Sequence, residues 1–163
     1  MPEKLLCDYC GTEISGDAEF CGKCGTIFAD NASCFNHSDD DAKGVCAICH
    51  QAYCKKCGLR VNNIFLCNEH SDYEIYEGMA RVFGSRDEQR INFLKSILDE
   101  NNLHTFIFDK TSSSFAEGID ERIMSKGNLI NEIKLMVPCS EVLQAENIID
   151  ELDQSTDISQ LTD

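Results

Sequence analysis

From Met79 onward the apolar residues fall into regular patterns. Ala80-Arg81-Val82-Phe83-Gly84 reads as a short strand ended by a turn. Ser85-Arg86-Asp87-Glu88 has the form of a capping box, with Ser85 at the N-cap and Glu88 three residues on. It predicts a helix running to about Asn101, with Ile91, Leu94 and Leu98 on one face, Ile97 in support, and Asn101-Asn102 as its end. His104-Thr105-Phe106-Ile107-Phe108 is β-branched and aromatic and predicts a second strand. Ile133-Lys134-Leu135-Met136-Val137 alternates as a third, closed by Pro138. Ser140 then caps a last helix from Glu141 to about Leu152, carried by Val142, Ala145, Ile149 and Leu152. The order β-α-β-β-α predicts an α+β unit, a layer of helices against a small sheet.

Around this unit the pattern fades. Residues 72–78 are acidic and without a clean period, and are expected to be a linker; the polar residues 154–163 are expected to fray as an acidic tail. About two dozen residues, Asp109 to Glu132, separate the second and third strands. That is longer than structureless loops usually run. Two readings are open: an insertion with a helical turn or two around Ile119–Met124, which is preferred, and a loop that senses a ligand or partner.

Upstream of residue 72 cysteine replaces periodicity. Ten of the 11 cysteines lie between Cys7 and Cys67, in a segment too small and polar to fold on an apolar core alone. They fall into pairs two residues apart, together with two histidines: Cys7/Cys10, Cys21/Cys24, Cys34/His37, Cys46/Cys49, Cys54/Cys57 and Cys67/His70. Six pairs supply twelve ligands, enough for three tetrahedral zinc sites with nothing left over. Gly11, Gly25 and Gly58 follow the second cysteine of their pairs, where a metal knuckle often needs positive φ. Closed four-ligand sites leave no position for water or substrate and are structural. Six tandem pairs argue against a thioredoxin-like redox motif, which calls for one such pair in a βαβ context. Iron remains open for the all-cysteine site, with zinc as the default. His50 and His104 match no ligand spacing. Cys139 is expected to be a buried small residue or a free thiol, not a nucleophile.

Charge narrows the function classes. The 163 residues carry 14 Lys+Arg against 29 Asp+Glu, a net charge of −15. Neither half holds the basic patch that supplies the electrostatic part of nucleic-acid binding. Lys55, Lys56 and Arg60 form the one local basic cluster of the front half, expected to screen the thiolates or to be a solvated face. No apolar run approaches the roughly 18 residues of a membrane span. The first residues have neither an apolar leader core nor a cleavage site. The expectation is therefore a cytoplasmic protein, in a compartment where thiols stay reduced and paired cysteines bind metal.

The first four ligands, Cys7-x2-Cys10-x10-Cys21-x2-Cys24, resemble a short zinc ribbon, and residues 1–29 are assigned to it. The next eight, within Cys34-x2-His37-x8-Cys46-x2-Cys49-x4-Cys54-x2-Cys57-x9-Cys67-x2-His70, resemble the B-box zinc-finger family in its bacterial form; residues 30–71 are assigned to this finger. The resemblance rests on the Cys-x2-His opening, the central Cys-x2-Cys, and Tyr53 just before the third pair. It implies interleaved sites: Cys34, His37, Cys54 and Cys57 in one, Cys46, Cys49, Cys67 and His70 in the other. Sequential pairing stays open as the alternative, although four residues between Cys49 and Cys54 leave little room to finish one lobe and start another.

The back half, residues 79–153, resembles the family named putative prokaryotic signal-transducing protein. The resemblance rests on the first strand, on "DEQRINFLKSILDENNLHTFIFD" as helix then strand, and on "IKLMVPCSEVLQAENIIDEL" as strand, Val-Pro, then helix. It implies a ferredoxin-like or nitrogen-regulator-like fold. These are packing motifs, so they speak to fold more than to activity. With all twelve ligands committed to closed sites, and no nucleophile paired with a base, the chain is expected not to be an enzyme. The expected role is a zinc-bound interaction and signalling adaptor with three Zn²⁺ per chain and a protein partner; nucleic acid is not expected and no membrane is involved. The competing class is a regulatory protein that binds nucleic acid through the ribbon.

Overall fold

The computed structural model describes residues 4–109 and 132–160. The long segment between the second and third predicted strands, with the helical turn expected around Ile119–Met124, lies outside the described residues except at its two ends. The chain divides into two compact units, Met1–Ala80 with Cys139–Leu143, and Arg81–Pro138 with Gln144–Asp163.

The first unit is built from short hairpins, two of which flank a cysteine knuckle. Strands β1 (Lys4–Leu6) and β2 (Glu13–Ser15) pair antiparallel, Leu5 opposite Ile14, on either side of the first knuckle. β3 (Gly44–Val45) and β4 (Ala52–Tyr53) flank the knuckle of Cys46 and Cys49 in the same way. β5 (Gly58–Val61) and β6 (Ile64–Cys67) pair from Gly58↔Cys67 to Val61↔Ile64. Their two-residue turn is Asn62-Asn63, with φ of 49° and 66°. Two left-handed residues in a row match the twist of the flanking strands, and asparagine tolerates that conformation better than most side chains. All four residues of β6 are buried. Residues read as a linker include a further strand, β7 (Ile75–Tyr76), which pairs with Met79 and Ala80 at the start of β8 (Met79–Ser85).

The second unit carries the α+β pattern expected from the sequence. Its strands lie in the order β8-β10-β9, with β9 at Phe106–Phe108 and β10 at Ile133–Pro138. β10 and β9 are antiparallel, Leu135 opposite Ile107. Successive side chains of a strand point to opposite faces, so the burial of Leu135, Met136 and Val137 in a row means that β10 is covered on both faces. Helix α1 (Glu88–Glu100) packs on β10 and buries Ile91, Leu94 and Leu98, the predicted face.

Three local details differ from the sequence expectation. The N-cap of α1 is Asp87, not Ser85: the Asp87 carboxylate accepts the backbone N–H groups of Gln89 and Arg90, while the Ser85 hydroxyl accepts the N–H of Asp87. A carboxylate aimed at orphan amides gains from the helix dipole as well, so the cap falls two residues later. The last helix does not start on a Ser140 cap. Cys139–Glu141 make one 3-10 turn, and α2 runs over Val142–Gln160, past the predicted end near Leu152. Ser155 and Thr156 donate their hydroxyls to the carbonyls of Glu151 and Leu152, so these polar residues are absorbed into the helix.

Candidate metal centres

The six pairs gather into three groups whose ligand atoms all lie within 4.8 Å of one another: Cys7, Cys10, Cys21 and Cys24; Cys34, His37, Cys54 and Cys57; and Cys46, Cys49, Cys67 and His70. The arrangement in the finger is interleaved, not sequential.

The first group is made by two nearly identical knuckles. In each, the amide of the first cysteine bonds the threonine carbonyl five residues on, Cys7 to Thr12 at 2.9 Å and Cys21 to Thr26 at 2.8 Å. The glycine after the second cysteine bonds back, Gly11 to Cys7 and Gly25 to Cys21. Gly11 and Gly25 sit at φ of 70° and 77°, the left-handed turn that aims two sulfurs to one side at no steric cost to glycine. Sγ–Sγ distances are 3.8 Å for Cys7–Cys24 and 3.6 Å for Cys10–Cys21. Sulfurs bound tetrahedrally at about 2.3 Å from zinc stand about 3.8 Å apart, whereas a disulfide would bring them to about 2.05 Å. The donor set and its spacing fit zinc.

The mixed groups pass the same test. A tetrahedral edge between thiolate and imidazole nitrogen on zinc is about 3.5 Å. His37 Nδ1 lies 3.8, 3.7 and 3.3 Å from the sulfurs of Cys34, Cys54 and Cys57. His70 Nδ1 lies 3.5 Å from Cys46 and 3.2 Å from Cys67. Both imidazoles therefore present Nδ1 to the centre. Three groups so placed, with ten thiol and two imidazole donors, make this a protein of three zinc sites.

Groups around the ligands shape their charge. Burial opposes ionisation of Cys10, but the Thr12 hydroxyl at 3.3 Å and a Thr12 backbone contact outweigh it and bring the thiol down to about 6. Burial likewise opposes Cys34, yet contacts with the backbone at Cys54 and Asn36 and with the His37 ring lower it to about 6. Burial pushes Cys21 up to about 12 and Cys67 up to about 11, the latter also against the charges of Cys46 and Cys49. The first two centres thus mix a thiol that ionises readily with one that resists, while in the third Cys49 and Cys67 are both pushed up, chiefly by burial. A divalent cation makes the full thiolate set tenable in each. The Thr26 hydroxyl stands 3.1 Å from Cys24 Sγ and the Tyr53 hydroxyl 3.7 Å from Cys49 Sγ. Against a metal-bound thiolate both hydroxyls act as donors.

The residues outside the three groups also have defined places. Cys139 is buried, its amide bonded to the Gly78 carbonyl, and burial followed by the charge of Cys46 pushes its thiol up to about 11. His50 is exposed, with its ring centroid 6.1 Å from that of Phe20. His104 is exposed and belongs to none of the groups. Lys56 pairs with Asp40 at 3.1 Å. Arg60 departs from the basic cluster expected of it: its guanidinium bonds the Cys24 carbonyl and the Thr26 hydroxyl and lies over the Tyr9 ring. Thr12, Thr26 and Arg60 were not evident as parts of a site. The Cys-Gly-Thr triplet, which occurs at residues 10–12 and again at 24–26, was the signal for the threonines.

Among the described residues no helix is long and apolar enough to cross a membrane. Residues 6–28 match a zinc-ribbon domain family, and residues 79–153 match the family described as putative prokaryotic signal transducing protein. Neither a curated protein nor a solved structure matches the chain.

Proposed function

From a chain with a zinc ribbon at its front and a signal-transducing type of domain at its back, we propose a non-enzymatic adaptor. The zinc modules form a rigid docking surface for a protein partner, and the α+β domain receives the signal, as a ligand or a second partner. One observation carries the reading: each metal group holds four protein donors within 4.8 Å. A zinc ion so surrounded has no open position at which to activate water or polarise a substrate. Cys139 supports it, because a buried thiol pushed up to about 11 is a poor nucleophile at neutral pH. The net charge of −15 favours a partner with a basic face over nucleic acid. Arg60, tied to the ribbon, adds little to any phosphate-binding surface.

The test is partner capture by the zinc-loaded full chain, followed by reconstitution of the complex from purified components. A discrete protein complex that chelation dissolves is the expected result. Substrate turnover abolished by Cys139→Ala or His104→Ala would overturn the proposal. A salt-dependent nucleic-acid complex tighter than micromolar would transfer the role to the ribbon.

A further inference from the structure

The second knuckle of the ribbon is bonded to the finger through two successive carbonyls of its turn, those of Cys24 and Gly25. The Gly25 carbonyl accepts the N–H of Val45 at 2.8 Å, one residue before the ligand Cys46. The Cys24 carbonyl accepts the N–H of Phe65 at 3.0 Å, two residues before the ligand Cys67, and Arg60 at 3.2 Å. Arg60 also donates to Thr26 Oγ1 at 3.1 Å, the hydroxyl that faces Cys24 Sγ, and its guanidinium carbon lies 4.1 Å from the centroid of Tyr9 in the first knuckle. One hairpin of the finger, β5–β6, thereby grips both knuckles of the ribbon.

Phe65 fills the joint. It is 3% exposed, and three glycines from separate segments make room for it. A Cβ at Gly44 would stand 2.3 Å from its ring, one at Gly58 2.5 Å, and one at Gly25 2.9 Å from the Phe65 Cβ. The Phe65 carbonyl accepts the N–H of Ala47, the residue after Cys46. The same few residues thus fix the ribbon turn, the end of β3 that leads into Cys46, and β6, which ends on Cys67.

We infer that zinc binding at the Cys7/Cys10/Cys21/Cys24 site and at the Cys46/Cys49/Cys67/His70 site is coupled, each ion raising the affinity of the other site. Zinc holds the Cys21–Cys24 knuckle in the shape that points its carbonyls at Val45 and Phe65. When the knuckle opens, the N–H groups of two buried residues lose their acceptors, at the cost of an unsatisfied buried donor. The segments that lead into Cys46 and Cys67 are then less ordered, and their zinc must itself supply the ordering. Coupling of this kind is reciprocal. The ribbon acts as a zinc-dependent brace on the finger, and the loaded pair presents one composite surface. The coupling involves metal loading alone and does not depend on which partner docks.

The experiment uses the zinc-loaded full chain at equilibrium with graded concentrations of a chelator, reading thiol protection cysteine by cysteine through alkylation and mass spectrometry. Replacing ribbon ligands with Cys7→Ser and Cys10→Ser is expected to lower the chelator midpoint of Cys46, Cys49 and Cys67 about tenfold. His70→Ala is expected to lower the midpoint of Cys7, Cys10, Cys21 and Cys24 by a similar factor. Arg60→Met keeps all twelve ligands, removes the grip on Cys24 and Thr26, and is expected to lower both midpoints. It carries the test alone should a ligand variant fail to fold. Midpoints at the distant site that stay at the wild-type value in the ligand variants, or at both sites in Arg60→Met, overturn the inference.

Discussion

Gly11 and Gly25 occupy equivalent positions in the two ribbon knuckles, yet their surroundings differ. Both have positive φ, so any L side chain there is strained by about 1 kcal/mol. A Cβ on Gly11 meets nothing within 4 Å, whereas one on Gly25 would stand 2.1 Å from the Val45 carbonyl oxygen. Gly11→Ala should therefore lower stability by about 1 kcal/mol, and Gly25→Ala by clearly more, as thermal unfolding of the zinc-loaded chain can measure. Equal losses would mean that the ribbon turn does not press on the finger. Tyr53 offers a second contrast. Tyr53→Phe removes a hydroxyl facing Cys49 and should weaken zinc retention at that centre by about tenfold. Thiol protection of Cys7, Cys10, Cys21 and Cys24 in the same sample should fall too, through the coupling of the two sites, but by a smaller factor. At this scale the ligands were legible because a tetrahedral ion demands paired donors at short spacing. Arg60 was misread as part of a basic cluster, since its partners lie 34 and 36 residues away and leave no mark on its local sequence.

The elements of the second unit follow from their hydrophobic spacing, and α1 shows both the strength and the limit of that spacing. Ile91, Leu94 and Leu98 are buried as their period requires. At the far end Asn102 takes φ of 62°, with Leu103 N–H bonded to the Leu98 carbonyl and Asn102 N–H to that of Asp99, a Schellman ending. The start was harder to read because Ser85 and Asp87 are both good caps, and only the path of the chain decides which one meets the free amides. Asp87→Ala should cost about 1 kcal/mol, and Ser85→Ala less, in chemical denaturation of the full chain. The reverse order would restore Ser85 as the cap. In the first unit the short strands carry no period long enough to predict, and the Asn62-Asn63 turn was overlooked for that reason. Knuckles and glycine clearances define those strands, and both depend on residues distant in sequence.

For the whole molecule, a front unit organised by metal and a back unit organised by apolar packing should respond differently to chelation. Metal binding in such modules is folding free energy, so removing zinc should erase the dispersed backbone resonances of the first unit. Resonances of α1 and β10, whose core is Ile91, Leu94, Leu98, Leu135 and Val137, should persist. Loss of both sets together would show one cooperative unit. The measurement that bears most directly on a closed-site adaptor is zinc X-ray absorption of the fully loaded chain. Three ions per chain are expected to share ten sulfur and two nitrogen neighbours with no oxygen in the first shell. A bound water or carboxylate oxygen, or fewer than three ions, would contradict the account.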